Sequence, residues 1–321
     1  MNRFSNIVFV AESGADDVAA FRQAVALANN NQAQLTVVGL VDALGKQRAN
    51  ADTPTSKLLD AIVEQRCEQL QMLIQSASTS GPKIEVKVLV GMGFIEIIRE
   101  VLRHKRDLVI KCVENTEGFG QRLFASTDMK LMRKCPCPLW LIKSTQHEGY
   151  REILAAVGYD PDDTQADALN RQILEMATSL ALSDFAQLHV VHAWRFAHES
   201  FFRSRRVSFT DSDVDAMVQK EEDIRSGWLE ALVNKNSTAH GKEVVDYLKP
   251  QLHLVKGDAS HVVPALANEL GAELVIMGTV GRAGIPGLLI GNTAENILNQ
   301  IDCSVLTIKP AGFVSPVPLD G

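Results

Sequence analysis

The chain has 321 residues, of which 46% are apolar and 22% are charged, and its formal net charge is −7. This length accommodates two ordinary domains, and the composition is typical of folded globular proteins rather than disordered chains. The negative charge gives no general attraction to nucleic acid or to an anionic membrane, and no apolar run approaches the length of a membrane span. Because no signal-peptide pattern follows Met1, we expect a cytoplasmic protein.

The first half of the sequence alternates short apolar runs with amphipathic stretches. Continuous apolar runs of about four to eight residues are typical of strands in a parallel sheet that is buried on both faces. The amphipathic stretches carry apolar residues at helical spacing. The predicted strands cover residues 7–11, 35–41, 84–90, 108–111 and 138–142, and the predicted helices include residues 19–29 and 56–76.

The second half of the sequence repeats the first. Residues 106–111 resemble residues 272–277 at an offset of 166, and residues 139–143 resemble residues 305–309 at the same offset. Similar segments earlier in each half lie at smaller offsets, so the second half carries thirteen more residues between its second and third predicted strands. The chain is therefore a tandem duplication with one enlarged region.

Each half predicts a domain of its own. Alternating strands and helices at this spacing predict a doubly wound α/β layer around a parallel sheet. In the second half, the helices at residues 163–181 and 211–233 are the counterparts of the two named above. The polar stretch 144–150 is the predicted linker, which gives domains of residues 1–146 and 147–321.

The fourth strand of the second half leads into a glycine-rich loop. Ligands of open parallel sheets bind beyond the carboxyl ends of the strands. Glycines let the backbone approach a phosphate closely, and the free amides of the following helix donate to oxyanions. The predicted lining of an anion or nucleotide site is Met277, Gly278, Gly281, Arg282, Gly291, Asn292 and Thr293. The alternative is an ordinary strand-to-helix loop with capping residues.

The equivalent loop of the first half lacks these glycines. Its three equivalent positions are, in chain order, Cys112, Asn115 and Ala125. The loop and the helix after it carry acidic side chains, partly offset by one arginine: Glu114, Glu117, Asp128 and Arg122. Because carboxylates repel phosphate, we expect the first domain to be mainly structural.

The glycine spacing and the tandem arrangement resemble the universal stress protein family. Gly278-x2-Gly281-x9-Gly291 followed by a polar residue is similar to the nucleotide-binding signature of that family. The resemblance covers nearly the whole chain and implies two Rossmann-like domains of the adenine nucleotide alpha hydrolase type. It also implies that the apolar edge strands 138–142 and 305–308 pair, so that the two domains pack as a pseudo-dimer; a homodimer of whole chains remains open.

The resemblance further implies a ligand and its contacts. The family's phosphate and ribose contacts fall on Gly278, Gly281, Gly291, Asn292 and Thr293. Two positions depart from the family. Asn292 stands where the family has Ser or Thr, and Gly158 stands where it has an Asp that holds the ribose, with Asp160 two residues further on. We expect ATP or a related nucleotide, with Mg²⁺ as its counterion, or another phosphorylated metabolite.

The enlarged region of the second half predicts a rival ligand. Residues 194–206 mix aromatic and arginine side chains at the same edge of the sheet. Such a segment could cover an apolar tail while its arginines meet an anionic head group, so an amphiphilic metabolite is the alternative ligand. We favour the simpler interpretation that the aromatic residues anchor the segment and the arginines are solvated. His192, near the end of the second strand, is interpreted as a packing residue or as lining of the pocket.

Catalysis is not predicted by any motif. The sequence contains neither a G-x-S-x-G nucleophile elbow nor an H-E-x-x-H helix, so slow ATP hydrolysis is the most that we expect. A stress-response binding protein whose second domain senses a nucleotide or a related phosphorylated metabolite is the leading hypothesis, and an amphiphile carrier or sensor that uses the same pocket is the second. The third is an interaction protein whose glycine loop is a relic.

The five cysteines are scattered and odd in number, unlike the framework of a small secreted domain, and we expect reduced thiols. Cys135 and Cys137 are separated by one residue, and no second pair follows. Zinc sites typically place two or more residues between paired cysteines, so no metal site is predicted.

Overall fold

The computed structural model describes residues 4–12, 16–42, 54–77, 83–113, 124, 126–143, 149–161, 163–204, 209–240, 247–279 and 290–319. The elements of the first repeat are β1 (Asn6–Ala11), α1 (Asp17–Asn31), β2 (Gln34–Val41), α2 (Pro54–Ala77), β3 (Ile84–Val90), α3 (Gly93–His104), β4 (Leu108–Cys112), α4 (Ser126–Lys134) and β5 (Leu139–Ile142). Those of the second repeat are β6 (Glu152–Ala156), α5 (Thr164–Asp184), β7 (Gln187–Trp194), α6 (Glu199–Phe202), α7 (Asp211–His240), β8 (Gln251–Lys256), α8 (Ala259–Leu270), β9 (Leu274–Gly278), α9 (Asn292–Leu298) and β10 (Ser304–Ile308).

The predicted α/β class is confirmed. Strand β1 pairs in parallel with β2 and β4, and β6 pairs in parallel with β7 and β9. Along β1, every residue from Ile7 to Ala11 is buried, which requires covering layers on both faces of the sheet. The predicted strands of the first repeat agree with the observed ones to within one residue at each end.

Contacts divide the chain into two compact units. In the first unit the strands run in the order β3, β2, β1, β4, β5, with β10 beside β5. The last strand is antiparallel to β5, with Val305 opposite Leu141 and Thr307 opposite Leu139. The expected pairing of the two apolar edge strands is therefore present.

The second unit contains four parallel strands in the order β9, β6, β7, β8. The enlarged region predicted between the second and third strands is the short helix α6 and the 30-residue helix α7. Helix α7 packs against α5 and β8, and α8 packs against α9. Among the described residues, no helix is long and apolar enough to cross a membrane.

The centre of strand β2 leaves no room for a side chain at Gly39. The buried Arg66 lies against it and donates to the Ala11 carbonyl at 2.7 Å and to Gln69 Oε1 at 2.9 Å. A Cβ atom at position 39 would come within 2.6 Å of Arg66 Nε. Gly227 on α7 offers a comparison, because a Cβ there would contact no described atom within 4 Å.

Gly39→Ala is expected to lower the free energy of unfolding by about 1–3 kcal/mol, because the added methyl displaces a hydrogen-bonded buried arginine. The matched substitution Gly227→Ala is expected to raise it by about 0.5–1 kcal/mol, because alanine has the higher helix propensity. Guanidinium denaturation of both variants measures the difference. Equal stability of the two variants would contradict the role assigned to Gly39.

Candidate functional site

The candidate site lies at the carboxyl edge of the second unit, where β6 and β9 end side by side. Ala156 pairs with Met277, so Gly158 follows β6 next to Gly278 at the end of β9. The Gly291 amide donates to the Thr279 carbonyl at 2.8 Å, which ties the two ends of the glycine loop together. The loop itself, with the predicted contacts Gly281 and Arg282, lies outside the described residues.

Helix α9, which follows the glycine loop, begins at Asn292. Gly291 is its N-cap residue in an extended conformation and supplies no side chain to the helix amides. Asn292 and Thr293 are exposed, whereas Ala294 is buried. The two polar side chains are therefore exposed at the edge where a ligand would bind, and the first amides of the helix have no acceptor within the helix.

Gly158 is held by a side chain that sequence reasoning missed. Its amide donates to Asn170 Oδ1 at 3.0 Å, and its carbonyl accepts from Asn170 Nδ2 at 2.6 Å. Asn170 is buried on α5, so the backbone at Gly158 is fixed. A Cβ built at Gly158 would contact no described atom within 4 Å. The position is thus rigid, and none of the described atoms fills the space beside it.

The other predicted contacts lie around this position. Asp160 is half-buried in the turn before α5, where its carbonyl accepts from the Asp163 amide at 3.4 Å. Met277 is buried, and the neighbouring Gly278 is close-packed, since a Cβ there would come within 2.7 Å of Leu169. The Thr279 hydroxyl is fully buried and has no hydrogen-bond partner among the described residues.

At the corresponding edge of the first unit, the ends of β1 and β4 carry charged side chains that pair with one another. Lys111 is fully buried, and its Nζ lies 3.0 Å from Glu12 Oε1 and 3.0 Å from Asp128 Oδ1. It also donates to the Cys112 carbonyl at 3.2 Å. We call Glu12, Lys111 and Asp128 the Lys111 ion cluster. At the repeat offsets, its members correspond to Gly158, Met277 and Ala294.

The expectation that Asp128 repels phosphate was wrong. Asp128 is fully buried and its charge is compensated by Lys111, so it presents no free carboxylate at the edge. Glu114, Glu117 and Arg122 lie outside the described residues. What distinguishes the first unit is therefore occupation of the strand ends by an internal ion cluster.

His192 is a packing and hydrogen-bonding residue between β7 and α7. Its Nδ1 donates to the Val157 carbonyl at 3.2 Å, which leaves Nε2 to accept from Arg225 Nη1 at 3.3 Å. Burial lowers the pKa of His192 to about 4, and the positive charge of Arg225 acts in the same direction. The imidazole is therefore neutral near pH 7 and is only 3% exposed.

Around His192 lies an aromatic cluster that sequence reasoning did not identify. The Trp228 ring centroid is 5.0 Å from that of His192 and 5.1 Å from that of Tyr159. The Arg225 guanidinium lies 5.0 Å from the Tyr159 ring centroid and also pairs with Glu221. These contacts join the loop after β6 to helix α7. Because the residues are far apart in the sequence, no local sequence pattern predicts that they meet.

Two phenylalanines of the 194–206 segment pack on each other, and one of them also packs on Phe209. The ring centroids of Phe196 and Phe202 are 5.9 Å apart, and those of Phe202 and Phe209 are 5.7 Å apart. Arg203 pairs with Glu199 at 3.0 Å and with Asp215 at 2.7 Å. Arg203 is thus compensated by one acid of the segment, Glu199, and by Asp215 on α7. Arg205 and Arg206 lie outside the described residues.

The sequence profile of the universal stress protein family matches residues 3–143 and again residues 149–309. The chain therefore belongs to the universal stress protein family and carries two copies of its domain. Universal stress protein E of Photorhabdus laumondii is 25% identical over 99% of this chain and 98% of its own length. The protein of the same name from Escherichia coli K12 is 27% identical over 100% of this chain and 98% of its own length.

Two solved structures show the same fold over nearly the whole chain. A functionally unknown protein from Pseudomonas aeruginosa has a TM-score of 0.65 at 24% identity and covers 96% of this chain and 94% of its own. A universal stress protein from Archaeoglobus fulgidus has a TM-score of 0.61 at 17% identity and covers 95% of this chain and 98% of its own. No group of three or more His, Cys, Asp or Glu side chains within the described ranges could hold a metal ion.

Lys111→Met is expected to lower the free energy of unfolding by about 3–5 kcal/mol, because it leaves Asp128 buried without its compensating charge. The triple variant Glu12→Gly, Lys111→Met, Asp128→Ala installs the residues of the second copy and is expected to recover most of that loss. Urea denaturation compares the two. A triple variant no more stable than the single one would contradict the description of the Lys111 ion cluster as a compensated unit.

His192 is expected to make the protein less stable in acid. Its folded pKa lies below the ordinary value of 6.5, so its stabilising effect is complete above pH 6.5 and is lost as the pH falls towards 4. The full loss is about 3 kcal/mol. His192→Gln keeps a donor for Val157 and an acceptor for Arg225. Denaturation of this variant at several pH values should show a smaller change in the free energy of unfolding between pH 6.5 and pH 4 than the parent chain shows. His198→Gln, at an exposed position, should not.

Proposed function

We propose that the second unit binds a phosphorylated small molecule, with ATP as the reference ligand, at the carboxyl edge formed by β6, β9 and the start of α9. The observation that carries the proposal is the space beside the rigid Gly158, which no atom of the described residues fills. In the first unit, Glu12 occupies the corresponding position and reaches Lys111. Among the described residues, the second unit therefore places no side chain where the first unit places that of Glu12.

The chemistry around this space suits phosphate better than ribose. Exposed Asn292 and Thr293, the amides of the first helical turn and the buried Thr279 hydroxyl are donors for phosphate oxygens. A ribose would find no carboxylate at Gly158, so its hydroxyls would turn to Asp160 or to backbone groups. Mg²⁺ would accompany a nucleoside triphosphate as its counterion. We assign the first unit a mainly structural role.

An amphiphilic metabolite is the second candidate, because aromatic side chains stand exposed beyond the end of β7. Phe201 is 51% exposed and Phe209 is 44% exposed, although both contact Phe202, with ring centroids 6.0 Å and 5.7 Å from its own. Lone exposed apolar residues are ordinary, but two on one aromatic cluster form a surface on which an acyl chain can lie. The compensation of Arg203 by acids weighs against a head-group role for that residue.

Isothermal titration of the full chain with ATP and Mg²⁺ tests the proposal. We expect one site per chain. Gly158→Glu places the glutamate of the first copy in the open space, and it should weaken binding about tenfold or more by occlusion and charge repulsion. Gly227→Glu adds the same charge at an exposed, open position on α7 and should leave binding unchanged.

Two results would contradict the nucleotide proposal. One is binding by Gly158→Glu that equals that of the parent chain, and the other is a stoichiometry of two sites per chain. Native mass spectrometry of the purified protein separates the two candidates. Bound acyl compounds that survive nucleotide addition, together with no ATP heat signal, would favour the amphiphile.

A further inference from the structure

The segment between α4 and β5 brings two thiols into contact. Cys135 Sγ and Cys137 Sγ are 3.6 Å apart. The Cys135 amide continues the hydrogen bonding of α4 by donating to the Leu131 carbonyl at 2.8 Å, and Pro136 fixes the backbone between the two cysteines. The sulfur atoms are therefore held close by the chain itself.

The two thiols have different surroundings. Cys135 is 1% exposed, whereas Cys137 is half-buried and within reach of solvent. A hydrogen bond from Cys137 lowers the pKa of Cys135, burial opposes that change, and the nearby Lys309 ammonium adds to the lowering. The same hydrogen bond raises the pKa of Cys137. In the singly deprotonated pair, the negative charge is therefore favoured on Cys135 and the remaining proton on Cys137.

Two other cysteines, Cys112 and Cys303, differ from this pair in their surroundings or in their sequence context. Burial raises the pKa of Cys112 to about 12. At the repeat offset of 166, Cys135 and Cys137 correspond to Ile301 and Cys303, so the second copy has one cysteine where the first has two. The dithiol is therefore a feature of the first copy alone, and Cys303 provides a matched control within the same chain.

We propose that Cys135 and Cys137 are a reactive dithiol that hydrogen peroxide or a small organic hydroperoxide oxidises reversibly to an intramolecular disulfide. The site lies in the first unit and does not depend on the ligand of the second. The sulfur atoms must approach by about a further 1.5 Å to reach bonding distance. That displacement is small enough for the short segment between α4 and β5.

The reaction proceeds in two displacements. The favoured form, with the thiolate on Cys135, is in equilibrium with a less populated form in which Cys135 holds the remaining proton and Cys137, the thiol within reach of solvent, is the thiolate. This Cys137 thiolate attacks one peroxide oxygen. The O–O bond breaks, and the departing hydroxide takes the proton of Cys135 and leaves as water. The Cys135 thiolate then attacks the sulfenic sulfur of Cys137, and the S–S bond forms as a second hydroxide leaves and is protonated by solvent. The two sulfurs give two electrons to the peroxide.

The test is peroxide treatment of the full chain, followed by alkylation and mass spectrometry of the tryptic peptide 135–143, which contains both cysteines. We expect this peptide to become lighter by the mass of two hydrogens, to resist alkylation, and to recover both thiols with dithiothreitol. Its oxidation should be about tenfold faster than that of the half-exposed Cys67. Cys303→Ser should change nothing.

The single variants separate the two sulfur roles. Cys135→Ser should leave a sulfenic acid on Cys137 that dimedone traps, because the resolving thiol is missing. Cys137→Ser should oxidise slowly, because the remaining sulfur is buried. Oxidation of peptide 135–143 no faster than that of Cys67, or ending in sulfinic acid without the loss of two hydrogens in the parent chain, would overturn the proposal.

Discussion

Parallel strand pairing fixes which residues meet at the carboxyl edge of each sheet. The register that places Val10 beside Lys111 in β1 and β4 also places Ala156 beside Met277 in β6 and β9. Whatever follows the first strand of a copy must therefore lie near the end of its fourth strand. Every feature of the candidate site is a consequence of this constraint, because the duplication repeats the geometry and leaves the side chains free to differ.

The two copies use the same place in opposite ways. A fully buried ammonium is costly unless carboxylates and hydrogen bonds compensate it, and Lys111 has two carboxylates and a carbonyl. At the corresponding positions the second copy has only Met277, Gly158 and Ala294. None of these carries a charge, so no ion cluster is required there. Gly158 is thus one of three linked differences between the copies, since all three members of the Lys111 ion cluster are replaced by uncharged residues in the second copy.

The sequence predicts the secondary structure and the duplication, because both depend on local sequence patterns. Apolar runs locate the strands, and the chain's own repetition locates the second copy. The partners of Gly158 and Lys111 could not be predicted, because Asn170 lies in an ordinary amphipathic stretch and Lys111 ends an apolar strand. Their significance depends on which helix covers which strand end, which is a property of packing. The start of α9 was predictable because asparagine and threonine are residue types that favour a helix entrance.

Two lysines of the first unit, Lys111 and Lys309, are buried among the described residues, and they differ in how their positive charge is compensated. Lys111 lies between two carboxylates, whereas Lys309 donates to the Met132 carbonyl and lies near the Cys135 thiol. Burial lowers the pKa of Lys309 to about 8, and a negative Cys135 opposes that change. A thiolate at Cys135 and an ammonium at Lys309 therefore favour one another. Oxidation of the dithiol removes the negative charge of Cys135, so the buried ammonium of Lys309 loses one source of compensation. The redox state of the dithiol and the protonation of Lys309, the residue that follows β10, are therefore coupled.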